Sequence, residues 1–301
     1  RPGGTDMDLN LFLELGINGA LAGLMYSLVA MGIVLIYKSS AVPNLAQGAM
    51  TMLGAYVVLA IAGRFGAPLW LAVPLAMVCM FGVGVGIERV ALRRLAGRPI
   101  IMILMMTLGL DIFLRAGSMT LGGGSARPMQ LGIPDDPLFL GPILINRAYV
   151  VGAVVALALF GIFVLFFRTR LGIVLRAISD DYTASWSVGI SVERGVALSW
   201  ALSSMVATIA GVLWGSIQGV DQSLALLLLK GVAVAVLGGM DSIGGAILAG
   251  LLLGMFEGVA SGWLDPLVGG GSRDLVVAAT LILTILIRPH GLFGRHDIER
   301  I

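Results

Sequence analysis

Long runs of apolar residues constrain this chain more than any other feature. A helix needs roughly 20 apolar residues to cross a hydrocarbon core about 30 Å thick. Charged residues make up only 12% of the 301 residues, whereas a soluble domain carries about a quarter. The sequence therefore predicts an all-α polytopic protein of the lipid bilayer. Its apolar segments lie at residues 11–37, 42–62, 68–87, 99–119, 148–167, 195–217, 223–240, 243–262 and 271–287.

Two of these segments leave the number of spans open. The segment at 223–240 is short and carries Lys230, and the segment at 271–287 begins with Arg273 and Asp274. Nine spans, or eight spans with one re-entrant or broken element, both fit this pattern. Either way we expect a single bundle and one transmembrane domain over residues 1–301, preceded by a polar tail at 1–10.

The distribution of basic residues predicts the orientation, because Lys and Arg are enriched in short cytoplasmic loops. Alternating spans place most of them on one side, which we assign to the cytoplasm together with the C-terminus. The Gly- and Pro-rich stretch at 120–147 then forms an external, periplasmic loop. The cytoplasmic set is Lys38, Arg89, Arg93, Arg94, Arg98, Arg168, Arg170, Arg176, Arg194, Arg288, Arg295 and Arg300.

Glycines recur at four-residue spacing on several predicted helices. Small residues at this spacing let helix backbones approach closely in lipid. We therefore expect tight packing within the bundle, with a subunit interface as the alternative. The glycines concerned are Gly19 and Gly23; Gly211, Gly215 and Gly219; and Gly250, Gly254 and Gly258.

The chain carries no motif for catalysis, metal binding or nucleic-acid binding. His290 and His296 lie in the C-terminal tail without a ligand pattern. Lys38 and Ser39 end an apolar helix and lack the preceding glycine of a phosphate-binding loop, where Tyr37 stands. The sequence therefore predicts a protein that is not an enzyme, and any ATP that drives it is bound by another subunit.

A polar strip interrupts the second apolar segment. Asn44, Gln47 and Thr51 lie three and four residues apart, and Gly48 and Gly54 accompany them. Buried amides must find hydrogen-bond partners. A helix–helix contact is the first interpretation, and the lining of a permeation path is the second.

Ionisable residues inside apolar segments are costly, at about 2.5–3.5 kcal/mol on insertion scales. Asp111 lies four residues before Arg115, a spacing that favours an ion pair within one helix over a substrate contact. Lys230 either extends toward the membrane surface or faces a polar cavity. Glu14 and Glu257 are expected near a membrane interface or in a polar site. Asp111 and Lys230 are therefore further candidates for the permeation path.

The stretch at 168–194 differs from the rest of the chain. It is charged at both ends and has apolar residues at helical spacing, which predicts a short amphipathic helix at the membrane surface. Such a helix can cap the bundle or dock into the groove of a soluble partner. The apolar residues are Leu171, Val174, Leu175 and Ile178.

Three ordered motifs resemble those of branched-chain amino acid ABC transporter permeases of the LivH/LivM type. The first is RTRLGIVLRAISDD at 168–181, followed by Gly189 and Ile190. The second is the glycine-rich VLGG segment at 236–257. The third is RPHGLFGR at 288–295.

This resemblance implies an ABC importer of branched-chain or related amino acids in the bacterial inner membrane. The chain would pair with a second permease, identical or not, and with ATP-binding subunits and a periplasmic substrate-binding protein. It would hold no cofactor itself, and ATP and Mg²⁺ would belong to the ATPases. The resemblance assigns coupling to the ATPases to Arg176, Ala177, Asp181, Ala184, Gly189 and Ile190.

The chain departs from the family pattern at two places. Gln47 replaces the common His in the segment PNLAQGA, where Leu45 and Ala49 also differ, and Asp241 takes a usual glycine position. Substrate identity therefore stays open, with amides, urea or another small polar solute as alternatives. An ion-coupled secondary transporter is the alternative from a different class of protein, and an intramembrane enzyme is the least favoured.

Overall fold

A computed structural model of the chain describes residues 4–95, 97–122, 126–134 and 136–294. Most of those residues are helical, and the named strands form one short hairpin. The helices are α1 (Gly4–Ser40), α2 (Gln47–Phe65), α3 (Leu69–Ile87), α4 (Ile100–Gly122), α5 (Arg147–Phe166), α6 (Arg170–Asp180), α7 (Tyr182–Ser187), α8 (Val192–Gln218), α9 (Ser223–Gly238), α10 (Ile243–Val268) and α11 (Ser272–Ile287). The strands are β1 (Leu138–Leu140) and β2 (Ile143–Ile145).

Seven of the described helices are long and apolar enough to cross a membrane, namely α1, α2, α3, α4, α5, α8 and α10. This confirms the predicted all-α polytopic fold. Helices α9 and α11 have only 16 residues each, and they are the two segments that left the span count open. A 16-residue helix is about 24 Å long, which is shorter than the hydrocarbon core.

Two segments expected to be irregular contain regular structure. Helix α1 begins at Gly4, so residues 4–10 are helical, and α4 continues to Gly122 inside the predicted 120–147 loop. The same loop holds the antiparallel β1–β2 hairpin. Several positions used in the sequence predictions lie outside the described residues: Arg1, 123–125, Asp135, Arg295, His296 and Arg300.

The chain divides into two compact units. Unit 1 comprises Arg1–Ser27, Gly132–Leu159 and Leu229–Ile301, and unit 2 comprises Leu28–Leu131 and Phe160–Leu228. Several helices change unit along their length, since α1 contributes its first part to unit 1 and its second part to unit 2. Each unit is described by itself below.

In unit 1, glycines let α1 and α10 pack backbone against backbone. A Cβ atom added to Gly23 would lie 2.9 Å from Gly254 Cα, and one added to Gly19 would lie 3.0 Å from Gly258 Cα. Real Cβ atoms need more room than this, so any side chain would force the helices apart. The predicted close packing is confirmed for these glycines.

The hairpin of unit 1 is tied to the start of α1. The Asn18 amide donates to the Leu144 carbonyl at 2.7 Å, and its oxygen accepts from the Asn146 N–H at 2.9 Å. Glu14 accepts a further bond from the Leu144 N–H at 3.2 Å. Glu14 therefore stabilises a surface connection, in agreement with its expected position near the end of a span.

In unit 2, α8 packs against α2 and α3, and α2 also packs against α4. The core contains Met50, Met80 and Trp200, each at most 2% exposed. A Cβ atom on Gly54 would lie 2.7 Å from Thr208 Cα, so close backbone approach also organises this unit. Gly219 does not share the helical face of Gly211, because it follows the last residue of α8 with φ +86°.

Candidate functional site

The polar strip of α2 forms a closed hydrogen-bond cluster inside unit 2. The Asn44 amide donates to Gln47 Oε1 at 3.0 Å, and the Ser203 hydroxyl of α8 lies 2.9 Å from the same oxygen. The Gln47 amide approaches the Ser203 carbonyl at 3.4 Å, and Thr51 donates to the Gln47 carbonyl at 3.0 Å. These four side chains are all 0% exposed.

Satisfied and fully buried amides favour the first interpretation of the strip, a contact between helices. Gln47 faces α8 because Gly32 leaves room for it: a Cβ on Gly32 would lie 2.8 Å from Gln47 Cδ. Sequence reasoning found Asn44 and Gln47 but not Ser203, which lies 156 residues from Gln47. The role of Asn44, Gln47 and Thr51 in permeation stays a prediction.

Asp111 and Arg115 form the ion pair that their spacing predicts. Arg115 Nε lies 2.8 Å from Asp111 Oδ2, and both side chains are mostly buried, at 23% and 12% exposure. The pair lies on one face of α4 in unit 2. Because each charge neutralises the other within one helix, the arrangement stabilises α4 locally.

A second ion pair joins α9 and α10 in unit 1, and both residues were named from the sequence without a prediction of their pairing. Lys230 Nζ lies 2.5 Å from Glu257 Oε1. The Tyr26 hydroxyl of α1 accepts from Lys230 at 3.0 Å and lies 3.3 Å from Glu257 Oε1, to which it donates. Lys230 also stands over the Tyr26 ring at 4.8 Å from its centroid, close enough for a cation–π interaction.

This pairing defines the surroundings of both residues. Glu257 is only 3% exposed and so lies inside unit 1. Lys230 turns inward to Glu257, with its side chain 18% exposed. No local pattern could have joined them, because they are 27 residues apart and Tyr26 is 204 residues from Lys230.

The segment at 168–194 folds into the amphipathic helix that its periodicity predicts, and a second, shorter helix follows. Leu175 and Ile178 of α6 are buried, Val174 is half-buried and Leu171 is exposed. Ile178 packs against α8, where a Cβ on Gly195 would collide with it. The buried face thus attaches α6 to unit 2.

The turn after α6 is rigidly built and ends on an exposed apolar tip. The Asp181 carboxylate caps α7 by accepting from the Ala184 N–H at 2.8 Å, as an N-cap residue does. Gly189 has φ +84°, a conformation that favours glycine. Between them, Trp186 and Val188 are 71% and 74% exposed.

The predicted coupling residues divide into two kinds. Asp181 and Gly189 shape the turn, and the Ile190 N–H closes it by donating to the Ser185 carbonyl at 3.0 Å. Arg176 donates to the Phe167 carbonyl and so supports the start of α6. The exposed Trp186 of α7 was not among the predicted residues, although tryptophan is enriched where proteins contact one another.

Two of the motifs that carry the family resemblance meet in unit 1. The Leu292 N–H donates to the Leu237 carbonyl at 2.8 Å, and the Phe293 N–H donates to the Gly238 carbonyl at 3.2 Å. A Cβ on Gly239 would lie 2.8 Å from Gly294 Cα. The glycines of the VLGG segment are therefore needed where the C-terminal RPHGLFG segment crosses the α9–α10 turn.

Seven described helices that are long and apolar enough to span a bilayer define a polytopic α-helical membrane protein. The sequence pattern of one family, described as branched-chain amino acid transport system / permease component, matches residues 16–287. The chain belongs to this family, and the resemblance inferred from its three motifs is confirmed. It is accordingly a transmembrane transport subunit.

Individual relatives agree over nearly the whole chain. It is 30% identical to the high-affinity branched-chain amino acid transport system permease protein BraD of Pseudomonas aeruginosa, covering 96% of this chain and 98% of that protein. It is 31% identical to LivH of Escherichia coli K12, with the same coverage. The autoinducer 2 import system permease protein LsrC of Enterobacter sp. is 28% identical over 77% of this chain and 64% of that protein.

Among solved structures, PsaBC from Streptococcus pneumoniae in complex with Fab aligns with 91% of this chain and 91% of that chain. The sequence identity is 15% and the TM-score is 0.49. A likeness at this level carries no inference about fold or function.

Proposed function

We propose that this chain is the membrane-spanning permease subunit of an ATP-binding-cassette importer. It translocates branched-chain or related amino acids across the inner membrane, with its C-terminus in the cytoplasm. Membership of the permease family supports the transport role. The basic residues near Lys38, in 89–98 and in 168–194 support the orientation.

The α6–α7 segment provides the main support for the ATP-coupled role. One face of α6 is buried against α8, while Trp186 in the last turn of α7 and Val188 just after it are exposed. A segment that is anchored on one side and apolar on the other suits transmission of movement from a soluble partner. We assign ATP and Mg²⁺ to that partner, an ATPase subunit, and we further propose a second permease subunit and a periplasmic substrate-binding protein.

Co-purification of the assembled importer tests this role. We expect Trp186→Ser to weaken retention of the ATPase subunits and to lower the ATP hydrolysis that substrate-loaded binding protein stimulates. Phe139→Ser is the matched control, because Phe139 is 72% exposed in the β1 strand of unit 1. Retention and stimulated hydrolysis equal to those of the unmodified importer would overturn the proposed role of α7.

Arg176→Glu is a less specific test of the same segment. Its guanidinium donates to the Phe167 carbonyl, so the variant also disturbs the start of α6. Trp186 makes few contacts within the chain, and its substitution reports on docking more directly.

An ion-coupled secondary transporter is the second candidate, and the intramembrane Lys230–Glu257 pair is the observation that favours it. Such a protein would need no ATPase. Uptake into proteoliposomes containing this chain alone, driven by a proton or sodium gradient, would establish it. Uptake that requires the ATPase subunits and ATP would exclude it.

A further inference from the structure

The Lys230–Glu257 pair of unit 1 has an oxygen that accepts no hydrogen bond from the described part of the chain. Glu257 Oε1 receives Lys230 and the Tyr26 hydroxyl, but Oε2 is buried and has no hydrogen-bond partner among the described residues. A buried carboxylate oxygen without a donor is unfavourable, because nothing replaces the water it has lost. Glu257 Oε2 can therefore accept a hydrogen bond from a bound solute.

The pair is not explained by stability alone. Two charges removed from water repay their desolvation only when their hydrogen bonds are complete, and apolar residues of similar volume often serve as well or better. Here Glu257 Oε2 is left without a donor from the residues that the structure describes, as is Asp111 Oδ1 in the ion pair of unit 2. The Lys230–Glu257 pair differs from that pair in joining two helices and in including the Tyr26 hydroxyl. Ionisable groups inside the apolar helices of a membrane protein are typically functional.

The Lys230 side chain is more exposed than that of its partner, at 18% against 4% for Glu257. Lys230 has a long, flexible stem and can change partner without movement of the backbone.

We propose that Lys230, Glu257 and Tyr26 form a recognition site for the head group of a zwitterionic solute, an α-amino acid. The inference rests on the proposed importer function and names its substrate class. The closed pair opens, Glu257 accepts hydrogen bonds from the solute ammonium, and Lys230 and the Tyr26 hydroxyl donate to the solute carboxylate. Each protein charge exchanges one opposite charge for another, so the net charge of the site is unchanged.

This exchange selects for solutes that carry both charges. An uncharged amide or urea would open the pair without replacing the charge that either residue loses. A solute with only one charge would satisfy one residue and leave the other buried and unpaired, which is strongly unfavourable. The open alternatives of urea and amides are therefore disfavoured at this site.

Binding to the purified complex of permease and ATPase subunits, without the substrate-binding protein, tests the inference. L-leucine, 4-methylpentanoate and 3-methylbutylamine share nearly the same apolar part and differ in carrying both charges, only the carboxylate or only the ammonium. Calorimetric titration should give leucine the lowest Kd, by about a hundredfold, because a site built for polar groups rejects analogues that lack them.

Two conservative variants test which residue binds which charge of the solute. Glu257→Gln should weaken leucine binding and reduce the ratio between the Kd of 4-methylpentanoate and that of leucine. Lys230→Gln should reduce the ratio between the Kd of 3-methylbutylamine and that of leucine. A structural role alone would not separate the two analogues in this way. Arg93→Gln is the matched control, because it breaks the ion pair with the buried Glu88 carboxylate in unit 2, and we expect it to leave the leucine Kd unchanged.

Lys230→Met combined with Glu257→Leu replaces the pair by apolar side chains and keeps the test decisive if a single variant does not assemble. Leucine binding retained in that variant, or urea bound as tightly as leucine by the unmodified complex, would overturn the inference. Neither result would contradict the proposed importer function, because ATP-dependent uptake is measured in a separate experiment. Loss of ATP dependence would reject the proposed function and leave the binding result standing.

Discussion

Two buried polar sites, one in each unit, join helices in different ways. Unit 2 contains the amide and hydroxyl cluster of Asn44, Gln47 and Ser203, in which hydrogen bonds join α2 to α8. Unit 1 contains the Lys230–Glu257 pair, in which full charges join α9 to α10. Both sites are shielded from solvent, yet one is neutral and satisfied and the other is charged with an oxygen left unpaired.

This difference separates packing from function. Neutral amides that satisfy one another specify which helix faces meet, and they need no ligand. A buried ion pair is a poor way to join two helices, since removing either partner leaves an uncompensated charge. We therefore expect the cluster of unit 2 to contribute mainly to helix packing, whereas the pair of unit 1 is the proposed recognition site.

The largest effect is expected from breaking the charged pair on one side. Glu257→Leu leaves the Lys230 ammonium buried without its counter-charge, and we expect the free energy of unfolding to fall by about 3–5 kcal/mol. Unfolding by SDS in mixed micelles measures it. Lys230→Met added to Glu257→Leu should restore most of the loss, and a double variant as unstable as the single one would show that the pair is structural.

A smaller loss is expected from the neutral cluster. Gln47→Leu removes the acceptor of the Asn44 amide and the Ser203 hydroxyl, and unsatisfied buried groups cost about 1–3 kcal/mol. The same SDS titration measures it. Gln218→Leu is the control, because Gln218 is exposed at the end of α8 and its loss should stay within about 0.5 kcal/mol.

Should Gln47→Leu prove as costly as Glu257→Leu, the distinction between the two interiors would fail. The leucine Kd distinguishes the two sites in a second way. Gln47→Leu should leave the leucine Kd unchanged once the folded fraction is taken into account, whereas Glu257→Gln should raise it.

The smallest effect is expected at Thr51. Its hydroxyl donates to the Gln47 carbonyl one turn earlier in α2, and that carbonyl also accepts the helical N–H. Thr51→Val therefore leaves no buried carbonyl unpaired, and we expect a change below about 1 kcal/mol, near the average for hydrogen bonds inside membrane proteins. A larger loss in SDS unfolding would indicate that Thr51 contributes to more than α2 itself.

Features with a short sequence separation were predictable. The i, i+4 spacing of Asp111 and Arg115 predicted their ion pair, and the periodicity of Leu175 and Ile178 predicted the buried face of α6. The four-residue spacing of Gly19 and Gly23 predicted close packing, although not its partner. In each case a single helix brings the residues onto one face, so the helical period alone contains the information.

Features that join distant segments were not predictable in this way. Nothing near Lys230 indicates Glu257 or Tyr26, because the helices that carry them are brought together by packing. Ser203 is likewise absent from any local pattern around Gln47. A polar side chain in an apolar helix shows that a partner is required, but the choice among all other polar side chains depends on which helices become neighbours.

The sequence by itself determined that this chain spans the membrane, that it belongs among the branched-chain amino acid transport permeases, and that an amphipathic segment follows α5. Those properties depend on apolar length, on ordered motifs and on helical period, all of which are local. Only the tertiary structure decided that Lys230 pairs with Glu257 beside Tyr26, while Gln47 is satisfied by Ser203. The physical reason is that burial makes every charge and amide require a partner, and only the packing of helices decides which partner it is.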